Sequence, residues 1–169
     1  AAGTAWMLCI PGDAVSRGLA TFGGAQRRMQ RKGNFNGAEI YDDYAHHPDE
    51  LAATIEAVRT LPYKRVVVAF QPHTYTRTHA LFNDFIRELK KADHVVLAEI
   101  YAARERNTVG ISSRDLANKI PGSVYCATLP EVSAVLKSIA QPGDVILFKA
   151  SHGMHLELIL DRFLEEEKE

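Results

Sequence analysis

Hydrophobic and polar positions change their spacing repeatedly along the chain, between helical periodicity and short apolar runs. Leu51, Ile55 and Val58 recur at helical spacing, and residues 65–70 then form a nearly continuous apolar run. Such a run is typical of a strand that is covered on both faces. Further strands are predicted over 94–100, 124–126 and 145–148, with intervening helices over 81–89, 112–119 and 129–140.

Strands that alternate with helices in this way predict βαβ units with right-handed crossovers. Asn36-Gly37 lies between two strand-like segments and predicts a tight β-hairpin. We therefore expect an α/β fold, a three-layer sandwich with a mostly parallel, Rossmann-like sheet and one hairpin strand at an edge. Two short helices broken at Pro11-Gly12 are predicted before the hairpin, and an amphipathic helix containing Leu156 and Phe163 is predicted at the end.

Composition places the chain among ordinary soluble domains. The 169 residues are 46% hydrophobic and 24% charged, and 20 Lys+Arg against 21 Asp+Glu give a net charge of −1. This balance gives no reason to expect nucleic acid or a membrane surface as partner, and no segment approaches the roughly 20 apolar residues of a membrane span. Cys9 and Cys126 are expected to be reduced core residues of a cytoplasmic protein.

The first residues of the chain are apolar, begin without Met and lack a basic leader. We therefore expect the chain to be an excised domain, or a domain whose other parts lie upstream. The isolated domain is expected to be a monomer.

Polar side chains gather where two predicted strands end. Residues 41–50, Tyr-Asp-Asp-Tyr-Ala-His-His-Pro-Asp-Glu, form a strand-to-helix turn in which Pro48 suits the first helical position. Residues 71–78, Gln-Pro-His-Thr-Tyr-Thr-Arg-Thr, follow another strand and precede another helix. Because ligands bind at the carboxyl ends of parallel strands, both turns are expected on one rim.

Three interpretations of this rim are open. In the first, Asp43 caps the turn and the histidines are solvated. In the second, a metal-dependent phosphoesterase uses Asp42, Asp43, His46 and His73, although adjacent side chains point apart, so that at most one Asp and one His of the first turn could share a metal. In the third, the rim is a nucleotide and substrate site. A catalytically silent binding module that keeps only the fold is a further alternative.

Four segments resemble signatures of the Mur ligase family. Asp-Asp-Tyr-Ala-His-His-Pro over 42–48 resembles the segment that opens the C-terminal domain of that family, and residues 71–78 resemble a loop of its L-alanine-adding branch. Gly-Ala-Gln-Arg-Arg-Met-Gln over 24–30 and Tyr-Ala-Ala-Arg-Glu-Arg-Asn over 101–107 resemble two further segments. The ending over 149–157 departs from that branch and looks more like the ending of the branch that adds the terminal dipeptide.

The resemblance implies a division of the chain and a reaction. Residues 1–24 would be the helical end of a preceding central domain, or a linker, and residues 25–169 would be the C-terminal, amino-acid-binding domain. The complete cytoplasmic enzyme of peptidoglycan precursor synthesis would join L-alanine to UDP-N-acetylmuramate through an acyl phosphate, using ATP and Mg²⁺. A related Mur ligase that uses another amino acid or peptide is an alternative.

The sequence contains no Gly-x-x-x-x-Gly-Lys-Ser/Thr phosphate loop. We therefore expect this domain alone to bind no cofactor or metal and to have no ligase activity.

The resemblance also implies roles for individual residues. Arg28 would contact a phosphate of ATP, and Asp43 would bind its ribose from a rim position where the carboxylate contributes little to the fold. His47 is expected to support the turn, and His152 and His155 to lie on a helix surface. The L-alanine pocket would be lined by Tyr44, His46, His73 and Arg77.

Overall fold

The computed structural model describes residues 2–21, 28–44, 46–149, 156, 159 and 160. Within these residues, one 6-stranded sheet has the order β1-β2-β6-β3-β4-β5. The strands are β1 Gln30–Phe35, β2 Ala38–Asp43, β3 Arg65–Phe70, β4 His94–Ala98, β5 Val124–Cys126 and β6 Asp144–Lys149. The helices are α1 Ala2–Met7, α2 Gly12–Thr21, α3 Pro48–Arg59, α4 Tyr75–Ala80, α5 Phe82–Leu89, α6 Ser113–Ala117 and α7 Leu129–Ile139.

The sheet is parallel except at one edge, where β1 pairs antiparallel with β2. The hairpin turns at Asn36 and Gly37, whose φ angles of 48° and 76° are both positive. A two-residue turn with two positive φ angles matches the right-handed twist of the strands that it joins. The predicted mostly parallel sheet with an edge hairpin is therefore confirmed.

Two separate clusters of buried side chains cover the two faces of the sheet. Ile146 belongs to the cluster that includes Leu136 of α7, whereas Leu147 belongs to the cluster that includes Leu51 of α3 and Phe85 of α5. Adjacent strand residues point to opposite faces, so a strand with both faces covered is apolar throughout. The three-layer arrangement predicted from the apolar runs is confirmed.

Helix α3 begins with a capping box. Pro48 occupies the first turn, and the His47 side chain accepts a hydrogen bond from the N–H of Asp49 at 3.3 Å. One carboxylate oxygen of Glu50 accepts the N–H groups of His46 at 3.0 Å and His47 at 3.2 Å. These contacts satisfy N–H groups that the first helical turn leaves free, and the predicted supporting role of His47 is confirmed.

Some local predictions are corrected by the structure. Cys9 is exposed, and α1 and α2 contain no buried residue, so the expectation that Cys9 lies in the core is wrong. Its apolar neighbours do not pack into the sheet, and Trp6 is 81% exposed. Cys126 is buried, as predicted.

Two predicted boundaries also shift. The helix predicted from residue 81 is preceded by α4, which places Tyr75 and Arg77 in a helix and not in a loop. Leu156, Ile159 and Leu160 are buried and helical, whereas Phe163 lies outside the described residues.

In the described part of the chain, no helix combines the length and the apolar character that a bilayer crossing requires.

Candidate functional site

Three neighbouring strands end at the same edge of the sheet. Asp43 of β2 is the register partner of Lys149 of β6, which is in turn the register partner of Phe70 of β3. The turn after β2 and the turn after β3 therefore lie on either side of Lys149. The expectation that both polar segments share one rim is confirmed.

Aromatic and imidazole rings form a continuous row along this edge. The His46 ring lies edge-on to Tyr44, with 5.3 Å between ring centroids, and its centroid is 6.2 Å from that of His73. Tyr101 stacks on His73, with 5.8 Å between ring centroids. The structure thus brings together Tyr44, His46 and His73, as predicted. It adds Tyr101. This residue lies in segment 101–107, which resembles a Mur ligase signature but had no predicted role in the site.

The loop after β4 holds His73 in place. The N–H of Tyr101 donates to the carbonyl of Pro72 at 2.9 Å, and the N–H of Thr74 donates to the carbonyl of Tyr101 at 2.8 Å. Thr74 has a φ of 67°, a value that is uncommon for a β-branched residue and costs conformational free energy. Glu105 secures the start of α4 by accepting the N–H of Thr76 at 2.9 Å and its hydroxyl at 2.5 Å.

Arg77 and His73 each bury a polar atom that no described residue hydrogen-bonds. Among the described residues, neither Nη1 of Arg77 nor Nδ1 of His73 has a hydrogen-bond partner. Burial, reinforced by the positive charges of Arg77 and His46, lowers the pKa of His73 below its ordinary value of 6.5. His73 is therefore neutral at pH 7. Buried polar atoms are almost always paired, so these two atoms are available for hydrogen bonds to a polar ligand.

Asp43 is buried, only 4% exposed, and its Oδ2 atom accepts hydrogen bonds from the Thr54 hydroxyl at 2.8 Å and from Nζ of Lys149. Lys149 is completely buried and also contacts the Thr54 hydroxyl at 2.6 Å. Burial raises the pKa of Asp43, but the Lys149 ammonium and the Thr54 hydroxyl outweigh burial and hold the pKa below 3.8.

Contrary to expectation, the Asp43 carboxylate is buried and paired within the fold, and its effect on stability stays a prediction. The physical reason is the pairing of β2 with β6, which joins residues 106 positions apart in sequence. Lys149 is not among the residues predicted for the site, although a lysine directly after the apolar run 145–148 was a visible signal. Whether Asp43 contacts ATP stays a prediction.

Arg28 lies beside this buried pair. Its guanidinium is 3.5 Å from a carboxylate oxygen of Glu50 and 5.9 Å from the centroid of the Tyr44 ring. The backbone N–H of the next residue, Met29, also contributes to lowering the pKa of Asp43. Arg28 and Asp43, the two predicted ATP contacts, therefore lie in one connected cluster with Tyr44.

Within the described residues, no group of three or more His, Cys, Asp and Glu side chains is arranged to hold a metal ion. The carboxylate of Asp43 is already engaged by Lys149. The phosphoesterase interpretation has no support in this part of the chain. His152 and His155 lie outside the described residues.

Comparison with known proteins gives consistent matches. Residues 27–152 match the model of the family described as Mur ligase, glutamate ligase domain. A UDP-N-acetylmuramate–L-alanine ligase from Lachnospira eligens is 46% identical over 144 residues, which are 83% of this chain and 31% of that protein. One from Agathobacter rectalis is 48% identical over 139 residues, 80% of this chain and 30% of that protein.

The fold also matches a solved structure. UDP-N-acetylmuramate-alanine ligase from Thermotoga maritima superimposes with a TM-score of 0.78 at 23% identity, covering 98% of this chain and 35% of that chain. This likeness concerns the fold. The chain spans about a third of the length of the curated relatives that it matches.

Proposed function

The chain belongs to the Mur ligase, glutamate ligase domain family, and from this we propose that it is the C-terminal domain of an ATP-dependent ligase that joins L-alanine to UDP-N-acetylmuramate. The two relatives at 46% and 48% identity carry that ligase name and support the choice of amino acid. Residues 25–169 would form the amino-acid-binding domain. Residues 1–24 would belong to a preceding domain or a linker, in keeping with the absence of buried residues in α1 and α2.

The observation that carries the proposal is the pair of buried atoms in Arg77 and His73 that have no hydrogen-bond partner among the described residues. An α-amino acid brings one carboxylate that takes no part in bond formation. A guanidinium can bind it through two parallel hydrogen bonds, and the neutral imidazole of His73 can add a hydrogen bond without adding charge. Tyr44 and His46, next to His73 in the ring row, would form the walls of the pocket.

In the proposed reaction, ATP phosphorylates the lactyl carboxylate of UDP-N-acetylmuramate, the amine of L-alanine attacks the acyl phosphate, and phosphate leaves. Mg²⁺, supplied in the complete enzyme, would offset negative charge in these steps. This domain would contribute orientation, because fixing the carboxylate of L-alanine fixes the direction of its amine. Arg28 would contact a phosphate of ATP and Asp43 its ribose.

The proposal is tested with the complete protein that contains this domain. Incubation with UDP-N-acetylmuramate, ATP, Mg²⁺ and L-alanine should release ADP and phosphate and yield the L-alanyl amide, detected by mass spectrometry. Product with a different amino acid but none with L-alanine would overturn the substrate assignment. No amino-acid-dependent ADP release with any candidate would overturn the ligase assignment.

Arg77 is the first residue to change. Arg77→Ala in the complete enzyme should raise the KM for L-alanine far more than that for ATP or UDP-N-acetylmuramate, since losing one partner of such a charged pair costs about 2–5 kcal/mol. Arg77→Lys should recover only part of the loss, because an ammonium keeps the charge but not the planar fork. Arg104→Ala, at an exposed position of the loop after β4, is the matched control and should leave all three constants unchanged. Equal effects of Arg77→Ala on all three substrates would contradict the assignment.

A further inference from the structure

We propose that Lys149 is a positioning residue of the nucleotide site, whose buried ammonium fixes one oxygen of Asp43 so that the other oxygen can face the ribose of ATP. The inference rests on the proposed ATP-dependent function. It assigns a role to a residue that makes no contact with the substrates itself.

Two elements fix the same oxygen of Asp43. Lys149, the last residue of β6, donates to Oδ2, and Thr54 of α3 donates to Oδ2 at 2.8 Å. Lys149 and Thr54 also contact each other, with 2.6 Å between Nζ and Oγ1. The three side chains form a closed triangle, so rotation of the Asp43 carboxylate would break two hydrogen bonds, one of them charge-assisted. Its Oδ1 atom takes part in neither bond.

The energetics favour positioning over stabilisation as the role of this lysine. Lys149 is 0% exposed, and burial lowers its pKa below the ordinary value of 10.5 despite the adjacent carboxylate of Asp43. Burying an ion pair costs desolvation free energy that the attraction between the charges offsets only partly, and an apolar pair of similar volume often stabilises as well or better. A lysine at the end of the apolar run 145–148 is therefore poorly explained by stability alone.

Arg28 lies close to the same side chains. Its neighbour Met29 helps to lower the pKa of Asp43 through its backbone N–H, and the Arg28 guanidinium is 3.5 Å from Glu50, the residue that caps α3. The ammonium of Lys149 therefore holds Asp43 near the other residue that is proposed to bind the nucleotide.

The test compares Lys149→Met with Lys119→Met in the complete enzyme, where Lys119 is an exposed residue of the turn that follows α6. The Kd for Mg-ATP is measured by titration calorimetry below the unfolding temperature of each variant, and the KM for L-alanine is measured in the same preparation. Lys149→Met should weaken Mg-ATP binding about 10- to 100-fold, as for groups that orient the ligands of a metal. The KM for L-alanine should change by less than about threefold, because Lys149 hydrogen-bonds to Asp43 and Thr54 and not to the residues proposed to line the L-alanine pocket. Lys119→Met should leave both constants unchanged.

A double-variant comparison shows whether Lys149 affects Mg-ATP binding through Asp43. Asp43→Asn should itself weaken Mg-ATP binding, and adding Lys149→Met should cause no further loss, because the lysine acts only through the carboxylate. A further loss in the double variant would mean that Lys149 contacts the nucleotide directly, which would overturn the inference. So would an unchanged Kd in Lys149→Met accompanied only by a lower Tm.

If Lys149→Met does not fold, Thr54→Val provides an alternative test. It removes the second hydrogen bond to Oδ2 of Asp43 while keeping the side-chain shape. It should weaken Mg-ATP binding about fivefold, equivalent to a single hydrogen bond, and an unchanged Kd would overturn the inference. Failure of the proposed function gives a different result: the wild-type protein would form no L-alanyl product, whatever its affinity for Mg-ATP.

Discussion

Asp43 and Lys149 carry opposite charges in a part of the molecule where water cannot replace a missing partner. Asp43 is 4% exposed and Lys149 is 0% exposed. A charge left alone in such surroundings must either be neutralised or be reached by solvent, and both require the neighbouring side chains to rearrange. Removing only one residue of this pair therefore destabilises the fold, because the other charge stays buried without its partner.

We predict that Asp43→Ala lowers the free energy of unfolding by about 3–5 kcal/mol, because it leaves the Lys149 ammonium buried without its partner. Urea titration of this chain, followed by circular dichroism, measures the loss. Asp49→Ala is the control, since that side chain is 86% exposed, and it should cost less than about 1 kcal/mol at the start of α3. Equal stability of the two variants would show that Asp43 is not engaged by Lys149 in solution.

The protonation of His73 offers a second test at this scale. Its NMR titration midpoint should fall below 6.5, because burial and the charges of Arg77 and His46 disfavour the imidazolium, while Glu105 opposes them weakly. Arg77→Gln removes a positive charge and should therefore raise the midpoint. The signal is assigned with His73→Gln, and exposed His79 of α4 serves as the spectroscopic reference. A midpoint above 6.5 that does not respond to Arg77→Gln would contradict this environment.

Residues of the site were predictable where local sequence determines their position. Tyr44, His46 and His73 follow directly after strand-like segments, so their shared rim could be inferred from the chain alone. The pairing of Asp43 with Lys149 could not, because it depends on which strand lies next to β2 in the sheet. Periodicity identifies strands, but it does not give their order.

Among the secondary-structure elements, the β1–β2 hairpin has a turn position at which the structure accepts glycine but not a larger residue without strain. Gly37 has a positive φ of 76°, and a Cβ added there would lie 3.0 Å from atoms of Pro142. The Gly37 carbonyl also accepts a hydrogen bond from the N–H of Gly143 at 3.0 Å. Gly37 thus meets two requirements at once, the turn conformation and close contact with the turn before β6.

Gly37→Ala should therefore lower the free energy of unfolding by about 1–3 kcal/mol, combining left-handed backbone strain with the contact to Pro142. Gly18→Ala is the matched control, because Gly18 lies within α2 with open space around its Cα, and alanine there should leave stability unchanged or raise it by up to about 1 kcal/mol. Thermal unfolding of both variants measures the contrast. A stable Gly37→Ala variant would mean that the hairpin tolerates another turn type.

Helix α4 illustrates an element that the sequence underestimates. Its residues Tyr75 to Ala80 include β-branched threonines, which have low intrinsic helix propensity, and the segment was predicted as a loop. Glu105, in the loop after β4, accepts hydrogen bonds from Thr76 and thereby stabilises a helix that intrinsic propensity alone does not favour. Tertiary contacts of this kind cannot be deduced from a window of neighbouring residues.

For the whole molecule, we predict that the 169-residue chain alone produces no L-alanyl product from UDP-N-acetylmuramate, ATP, Mg²⁺ and L-alanine. The chain contains no phosphate loop to hold the triphosphate. The assay is run beside the complete enzyme at equal molar concentration, with circular dichroism to show that the separate chain is folded. Measurable ATP-dependent product from the chain alone would contradict the proposed division of labour between domains.

The overall architecture was the most predictable property of the chain. The order of apolar runs and amphipathic segments indicated a parallel sheet with helices on both faces, and Asn36-Gly37 indicated the antiparallel edge. The first two helices were predicted correctly in position, but the exposure of Cys9 was not. An apolar sequence shows that a segment can be buried, and only the packed structure shows whether another surface covers it.

The place of β6 in the sheet has a consequence for synthesis of the chain. It is the last described strand in sequence, yet it lies between β2 and β3 and pairs with both. While a ribosome makes the protein, the hairpin of β1 and β2 and the block of β3, β4 and β5 therefore have no common edge until residues 144–149 have left the exit tunnel. During that interval two strand edges stay open to other chains, which makes the nascent chain more prone to mispairing than the finished domain.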